Sequence, residues 1–375
     1  MLRAAWRQRK LYDAEHRGPP ITTMSNQTPL RGGLEVETRN DRSAAATPQP
    51  MTQTRWPSCL VWTLSLFVIF WVSFFVLYLR FPYIKNGADV VFDAKLRWEA
   101  SGPIFPSDPR ALRLLIFGNS KILAGFVPSS FDQMAAATNL QVSSFNSGFP
   151  GSDLVLPPLK TMCERGQAPN VLLLTLPWSA DPPRRRIFRF IPDDHAVIQQ
   201  LFPFRNLVRD FASFLMHAPS HGGVVSYYRE AQQNEKLAIA QRGYYLISEQ
   251  SYFAGGRIPD DFHLASDQPN AVVGRDAVLR SSALTELNQL VTQYHIRCYY
   301  VPYYLRIGEA AAAATYDQHF AGIVEQASSC KLLGPDYYLY PNKLFSDQTH
   351  LNRAGAQVYT EALFQLVESK LRALQ

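Results

Sequence analysis

Residues 112–126 read LRLLIFGNSKILAGF, and this stretch decides the fold. Its first six residues, all apolar except Arg113, form a run of strand length bounded by Gly118, as expected of a strand that is buried on both faces. A Gly-Asn-Ser turn follows and leads into a helix. A strand that ends in a tight turn before a helix predicts the first unit of a parallel α/β sheet.

The same alternation continues along the chain. It predicts an α/β fold with a mostly parallel sheet covered by helices on both faces, a three-layer sandwich. Residues 181–275 break the alternation, and we predict that they form a cap inserted over the sheet. The further strands are predicted at 140–145, 170–176 and 296–302, and the helices at 152–166 with Ser152 as N-cap, 276–294, 309–329 and 352–374.

Two short segments carry residues suited to catalysis. Ser120 follows the first strand at the carboxyl end of the sheet, where open α/β sheets place their sites. Near the C-terminus, FSDQTHLNRAGAQVYTEAL (345–363) contains Asp347 and His350 three residues apart, just before a helix capped by Asn352. This spacing lets a carboxylate hold one imidazole nitrogen while the other faces a nucleophile. Taken singly, the first segment also fits a helix N-cap turn, and the second fits an exposed polar loop.

Taken together, the two segments resemble the SGNH (GDSL-type) hydrolase superfamily over residues 112–375. The resemblance implies a catalytic triad of Ser120, Asp347 and His350. It also implies an oxyanion hole built from the N–H of Ser120 and from a glycine in FNSGFPGSD (145–153), with Gly151 the first choice and Gly148 the second.

The resemblance also implies an asparagine after the third strand that donates to the oxyanion. This chain departs from the family there, because PWSADP (177–182) has no asparagine. Ser179 stands nearest to the position of that oxyanion donor. The loss of one such donor typically costs about 10²–10³ in rate. The resemblance therefore assigns the three triad residues but not all of the donors of the oxyanion hole.

An apolar segment precedes the α/β region. Residues 56–79 hold no charged side chain, and as a helix they extend about 36 Å, enough to cross a hydrocarbon core of about 30 Å. We predict a disordered cytoplasmic segment at 1–55, in which Met24 and Met51 could each serve as the start, and an uncleaved transmembrane anchor at 56–80. A stem at 81–110 and an SGNH-like catalytic domain at 111–375 with its cap at about 181–275 complete the chain.

Charge and cysteine content exclude other classes of protein. Residues 1–56 carry nine Lys/Arg and five Asp/Glu, so only +2 of the net charge of +6 falls on the rest of the chain. A nucleic-acid binder concentrates basic charge on its folded domain, and we expect no nucleic-acid partner. The four cysteines show no zinc spacing, so we expect no metal and no cofactor. Cys59 lies in the apolar segment, and the other three cysteines allow one internal disulfide whose pairing stays open.

The resemblance and the anchor together indicate a function. We expect a single-pass cytoplasmic membrane protein, with its N-terminus inside and a periplasmic domain that hydrolyses acyl esters or transfers O-acyl (acetyl) groups on an extracytoplasmic cell-envelope polysaccharide. The expected partners are a cell-surface glycan or acyl ester, the cytoplasmic membrane and a membrane-bound O-acyltransferase. The alternatives are a catalytically weakened scaffold or glycan-binding partner of such a complex, and a lipolytic esterase that acts on membrane lipids.

Overall fold

The computed structural model describes residues 56–85, 87–106, 108, 110–149, 156–175, 201–202, 204–247, 253, 257–262, 282–307 and 325–375. The segment 1–55, which we expect to be disordered, lies outside these residues. So do Ser152, the predicted cap of one helix, and most of the helix predicted at 309–329.

Nine helices and seven strands are named here within the described ranges. The helices are α1 (Trp56–Arg80), α2 (Gly87–Ser101), α3 (Ser120–Gly125), α4 (Pro128–Ala137), α5 (Leu156–Glu164), α6 (Leu207–His217), α7 (Val224–Ala240), α8 (Ser282–Gln293) and α9 (Arg353–Arg372). The strands are β1 (Leu112–Gly118), β2 (Val142–Gly148), β3 (Val171–Thr175), β4 (Arg297–Val301), β5 (Tyr303–Arg306), β6 (Lys331–Leu332) and β7 (Tyr337–Tyr340).

The main sheet has five strands in the order β2-β1-β3-β4-β6, and every adjacent pair is parallel. This confirms the predicted α/β class and the mostly parallel sheet. The chain leaves β1 to form β2 on one side and then returns to form β3 on the other. The order of the strands therefore reverses beside β1, and ligands of open α/β sheets bind at the carboxyl ends of the strands that flank such a reversal.

Helices cover both faces of this sheet. Alternate residues of each strand point to opposite faces, and the strands are apolar on both, so both faces must be buried. On one face, Leu115 and Leu172 pack in a core that includes side chains of α5 and α8. On the other face, Ile116 and Leu173 pack in a core with side chains of α4 and α9. The second sheet is a parallel pair, β5 and β7, which lies beyond the end of β4.

Helix α1 is, within the described ranges, the one helix long and apolar enough to cross a membrane, over Cys59–Arg80. Its apolar side chains, among them Leu66 and Ile69, are exposed. Such exposure is unfavourable in water and favourable in lipid.

The segment predicted as a stem, 81–110, contains α2, which packs into the folded body. Val90, Val91 and Ala94 are buried on one face of this helix. Their packing holds the helix against the body, so this part of the segment is not a free linker. Lys95 and Glu99, whose charges would suggest a solvent-facing side in the sequence, also lie on the buried side of this helix.

The described part of the predicted cap includes α6 and α7, and it crosses the carboxyl edge of the sheet after α7. Arg242 carbonyl oxygen accepts from the N–H of Asn146 at 3.0 Å, and the N–H of Tyr245 donates to Leu123 at 3.1 Å. Gly243 has φ of +90°, and a Cβ there would lie 2.1 Å from the Asn146 oxygen. Only glycine allows the chain to pass this close to β2.

Candidate active site

Ser120 begins α3 at the point of strand reversal, directly after β1. Its side chain is partly exposed. Asn119 caps the helix, and its Oδ1 accepts the N–H of Lys121 at 2.9 Å. Because Ser120 lies in the first turn, its own N–H has no acceptor within the helix. The turn therefore presents a hydroxyl and a backbone donor side by side.

The turn before Ser120 is tight because two strands meet there. A Cβ on Gly118 would lie 2.4 Å from Ile122 Cγ1 and 2.8 Å from the hydroxyl of Thr175. Thr175 is the last residue of β3, so Ser120 follows β1 beside the end of its neighbouring strand. This close packing fixes the position of Ser120 at the carboxyl edge of the sheet.

Asp347 and His350 are in direct contact. His350 Nδ1 lies 2.8 Å from Asp347 Oδ2 and 3.0 Å from Oδ1. Oδ1 also accepts the backbone N–H groups of Thr349 and His350, each at 2.8 Å. A carboxylate that accepts from Nδ1 assigns the proton to that nitrogen, so Nε2 is left as the acceptor.

The Nε2 atom of His350 is buried and has no hydrogen-bond partner among the residues that the structure describes. The Ser120 hydroxyl is therefore not hydrogen-bonded to it. Buried polar atoms without a partner are uncommon in folded proteins and call for an explanation, one of which is a catalytic role. In enzymes without substrate, catalytic hydrogen bonds are often long and tighten only in the complex.

The loop that carries Asp347 and His350 is rigidly held at its base. The N–H of Ser346 donates to the carbonyl of His350 at 2.9 Å, and Phe345 forms an antiparallel bridge with Leu351. The cap also reaches this loop, because the N–H of Ile258 donates to the Phe345 carbonyl at 3.0 Å. The histidine ring is thus positioned by backbone contacts rather than by its own packing alone.

Strand β5 connects the serine turn with the histidine loop. Tyr304 OH donates to the carbonyl of Lys121 at 2.8 Å, and Lys121 Nζ donates to the carbonyl of Tyr304 at 3.1 Å. Arg306 Nε donates to the carbonyl of Gln348 at 2.8 Å. Residues two apart on a strand lie on one face, about 7 Å apart. The residue after Ser120 and a residue between Asp347 and His350 are therefore fastened to neighbouring positions of one strand.

Of the residues predicted to line the oxyanion hole besides Ser120, only Gly148 lies within the described residues. The N–H of Gly148 donates to Asn146 Oδ1 at 2.8 Å, so it is already used within the fold. A Cβ on Gly148 would lie 2.3 Å from the backbone nitrogen of Leu123, so packing against α3 explains this glycine. Gly151 and Ser179 lie outside the described residues, and their roles stay predictions.

A buried pair of charged side chains lies under the exit of β2. Lys95 Nζ donates to the carbonyls of Gly148 at 2.6 Å and Gly243 at 3.0 Å. Glu99 Oε1 accepts from the Ser147 hydroxyl at 2.6 Å. Burial lowers the pKa of Lys95 and raises that of Glu99, and the attraction between the two groups opposes both shifts.

Lys95 thereby ties the end of β2 to the returning chain of the cap. Neither residue of this pair was predicted from the sequence to have a role in the site. The signal was the spacing of Val90, Val91 and Ala94, which marks the buried face of a helix.

The described residues contain a disulfide and no candidate metal site. Among the described residues, no group of three or more His, Cys, Asp or Glu side chains could hold a metal ion. Cys298 and Cys330 form a disulfide with Cα atoms 4.5 Å apart.

Comparison of the chain with family models, with curated proteins and with solved structures finds no match.

Proposed function

We propose that this chain is a membrane-anchored serine esterase or O-acyltransferase of the SGNH type, acting on acyl esters of an extracytoplasmic cell-envelope polysaccharide. The observation that carries the proposal is the Asp347–His350 pair, whose Nε2 is buried without a partner in the described part of the chain. Strand β5 supports the proposal, because Tyr304 hydrogen-bonds to the residue after Ser120 and Arg306 hydrogen-bonds to the histidine loop.

In the proposed reaction, His350 Nε2 takes the proton of the Ser120 hydroxyl as Oγ attacks the ester carbonyl. The imidazolium that forms is stabilised by Asp347, which stays ionised. Collapse of the tetrahedral intermediate expels the alcohol, which receives the proton from His350 and leaves an acyl-serine. Water or a sugar hydroxyl then attacks the acyl-serine through the same histidine. Water gives hydrolysis, and a sugar hydroxyl gives acyl transfer.

The proposal is tested by labelling with a fluorophosphonate probe, which traps an activated serine covalently. We expect the full-length protein to be labelled at Ser120, and we expect the Ser120→Ala protein to stay unlabelled. A Ser129→Ala protein is the matched control, because Ser129 is an exposed serine in the first turn of the next helix. If the folded wild-type protein takes up no label, the scaffold or glycan-binding alternative replaces the enzyme.

The extracytoplasmic setting of this function is part of the proposal. Two features support it: the basic excess in the residues before α1, and the Cys298–Cys330 disulfide. Basic residues favour the cytoplasmic side of a span, and disulfides persist in oxidising compartments such as the periplasm.

We expect alkaline phosphatase fused after residue 375 to be active, because the chain after α1 lies outside in this topology. A cytoplasmic reporter such as a fluorescent protein that matures only inside is the control at the same position. An inactive phosphatase fusion together with a bright cytoplasmic fusion would contradict the orientation.

A lipolytic esterase is the second candidate, and the exposed apolar residues of α6 favour it, among them Val208 and Met216. Such an enzyme cleaves long-chain esters in preference to acetyl esters. Rates on acetyl, butyryl and palmitoyl esters of one alcohol separate the two candidates. A preference that rises with chain length would favour the lipolytic esterase, and a preference for acetyl would favour the glycan enzyme.

A further inference from the structure

Helix α6 leaves a large apolar face uncovered. Leu207 and Phe214 are buried against the body, whereas Val208, Phe211 and Leu215 are exposed. These three exposed residues are spaced three and four apart, so they lie on one face of the helix. Met216 extends this face and is 73% exposed, and Leu201, just before the helix, is 52% exposed. Contiguous exposed apolar surface of this kind marks an interaction site.

The covered side of α6 packs near the membrane-spanning helix. Phe204, Leu207 and Phe214 form a cluster with Ile84, against which aromatic side chains of α1 pack. The Phe204 ring lies 6.1 Å from the Trp71 ring and 5.8 Å from the Phe74 ring.

The preceding segment is also fastened to α1. The indole N–H of Trp71 donates to the carbonyl of Leu201 at 2.6 Å. The Phe67 and Phe202 rings lie 6.4 Å apart. These contacts place Leu201, Phe202 and Phe204 beside the middle of α1 rather than beyond its end.

The position of these contacts along α1 sets their depth. Trp71 is nine residues before Arg80, which at 1.5 Å per residue is about 14 Å from the end of the helix. Half of a hydrocarbon core is about 15 Å. If the membrane instead ended at Trp71, the apolar part of α1 would be about 22 Å long, too short to cross. Leu201, Phe202 and Phe204 therefore lie at the level of the hydrocarbon.

We propose that α6, together with Leu201, is a second membrane-inserted element that lies in the leaflet nearest the body, with Val208, Phe211, Leu215 and Met216 in contact with lipid acyl chains. Both helices leave apolar side chains exposed, and the segment before α6 contacts α1 at the depth of the hydrocarbon, so lipid is the one occupant that suits both. This proposal rests on α1 spanning a membrane and is independent of the catalytic chemistry.

The polar groups of the segment fit a lipid environment. The Trp71 N–H and the Leu201 carbonyl satisfy each other, as backbone and indole groups must in a bilayer. Arg209 pairs with Asp210 at 3.0 Å, and its side chain is exposed. Arginine near the edge of an inserted helix reaches the phosphate layer with its head group while its stem stays apolar. Arg205, exposed just before the helix, can do the same.

A fluorophore placed on the exposed face tests the proposal in the full-length protein. The background is Cys59→Ser, which removes the exposed thiol that is not part of a disulfide. Cys163 is buried, and burial raises the pKa of its thiol to about 11, so it stays protonated and unreactive at neutral pH. Cys298 and Cys330 are joined in the disulfide.

Three single substitutions are labelled with an environment-sensitive nitrobenzoxadiazole dye. Leu215→Cys reports on α6, Val68→Cys on the span itself, and Gln365→Cys on an exposed position of α9 as the aqueous reference. Each protein is reconstituted in phosphatidylcholine–phosphatidylglycerol vesicles with and without bromine atoms on the acyl chains. Bromine quenches only dyes that contact those chains.

We expect several-fold stronger quenching at Leu215→Cys and Val68→Cys than at Gln365→Cys. If Val68→Cys is quenched while Leu215→Cys behaves like Gln365→Cys, the second element is overturned and the span stands. A Leu215→Cys dye that is blue-shifted but unquenched would also overturn it, because a protein surface, such as a second copy of the chain, would then cover the face. If Val68→Cys is not quenched, the span itself fails, and the inference fails with it.

Discussion

A Ser120→Ala variant is expected to lose about 10⁶-fold in kcat on a small acetyl ester, the scale of loss seen when the nucleophile of a serine hydrolase is removed. Alanine cannot form the acyl intermediate, so only the residual effect of binding and oxyanion stabilisation remains. The rate of acetate release from the purified full-length protein measures this loss.

The Ser120→Ala substitution is expected to leave the fold intact. The helix cap at this turn is Asn119, whose Oδ1 accepts the Lys121 N–H, and Ser120 itself is only partly buried. Ser129→Ala is again the matched control and is expected to keep the wild-type rate. If Ser120→Ala also keeps the wild-type rate, the nucleophile is another group and the proposed mechanism is wrong.

The strands and the terminal helix could be read from sequence because local patterns determine them. The apolar runs at 112–117 and 170–176 predict β1 and β3 within a residue or two of their observed bounds. Helix α9 begins after Asn352, whose Oδ1 accepts the Gly355 N–H at 2.9 Å, as the sequence predicted. Burial on both faces and a capping side chain are properties of short segments, so they need no knowledge of distant contacts.

The connections that assemble the candidate site are long-range and leave little local signal. Tyr304 reaches Lys121, and Arg306 reaches Gln348, across large separations in sequence. The sequence predicted only a strand at 296–302 in this region, and no contact to the serine turn or the histidine loop. The same limit applies to Lys95, whose two carbonyl partners come from β2 and from the cap.

The disulfide shows the same limit in a simpler form. Three cysteines outside the apolar segment left the pairing open. Cys298 lies in β4, and Cys330 directly precedes β6, which is the parallel neighbour of β4 with Tyr299 opposite Lys331. The pairing therefore follows from the order of the strands in the sheet, which the spacing of the cysteines does not reveal.

An Asp347→Asn variant is expected to lose about 10⁴-fold in kcat while the loop keeps its shape. Asparagine retains an Oδ1 that can accept the backbone N–H groups of Thr349 and His350, so the turn is preserved. Its amide, however, donates where the carboxylate accepted. His350 Nδ1 must then act as the acceptor, the proton moves to Nε2, and the ring can no longer take the proton of Ser120.

The kinetic pattern distinguishes this tautomer effect from general destabilisation. We expect kcat to fall with KM nearly unchanged, because Asp347 acts on the histidine and does not touch the substrate. Asp336→Asn, at an exposed carboxylate of another loop, is the matched control and is expected to keep the wild-type kcat. Fluorophosphonate labelling of Asp347→Asn should slow in parallel with kcat, since both reactions need the same activated Ser120 hydroxyl. If Asp347→Asn keeps the wild-type rates of turnover and labelling, His350 does not depend on this carboxylate, and the contact between them serves only to hold the loop.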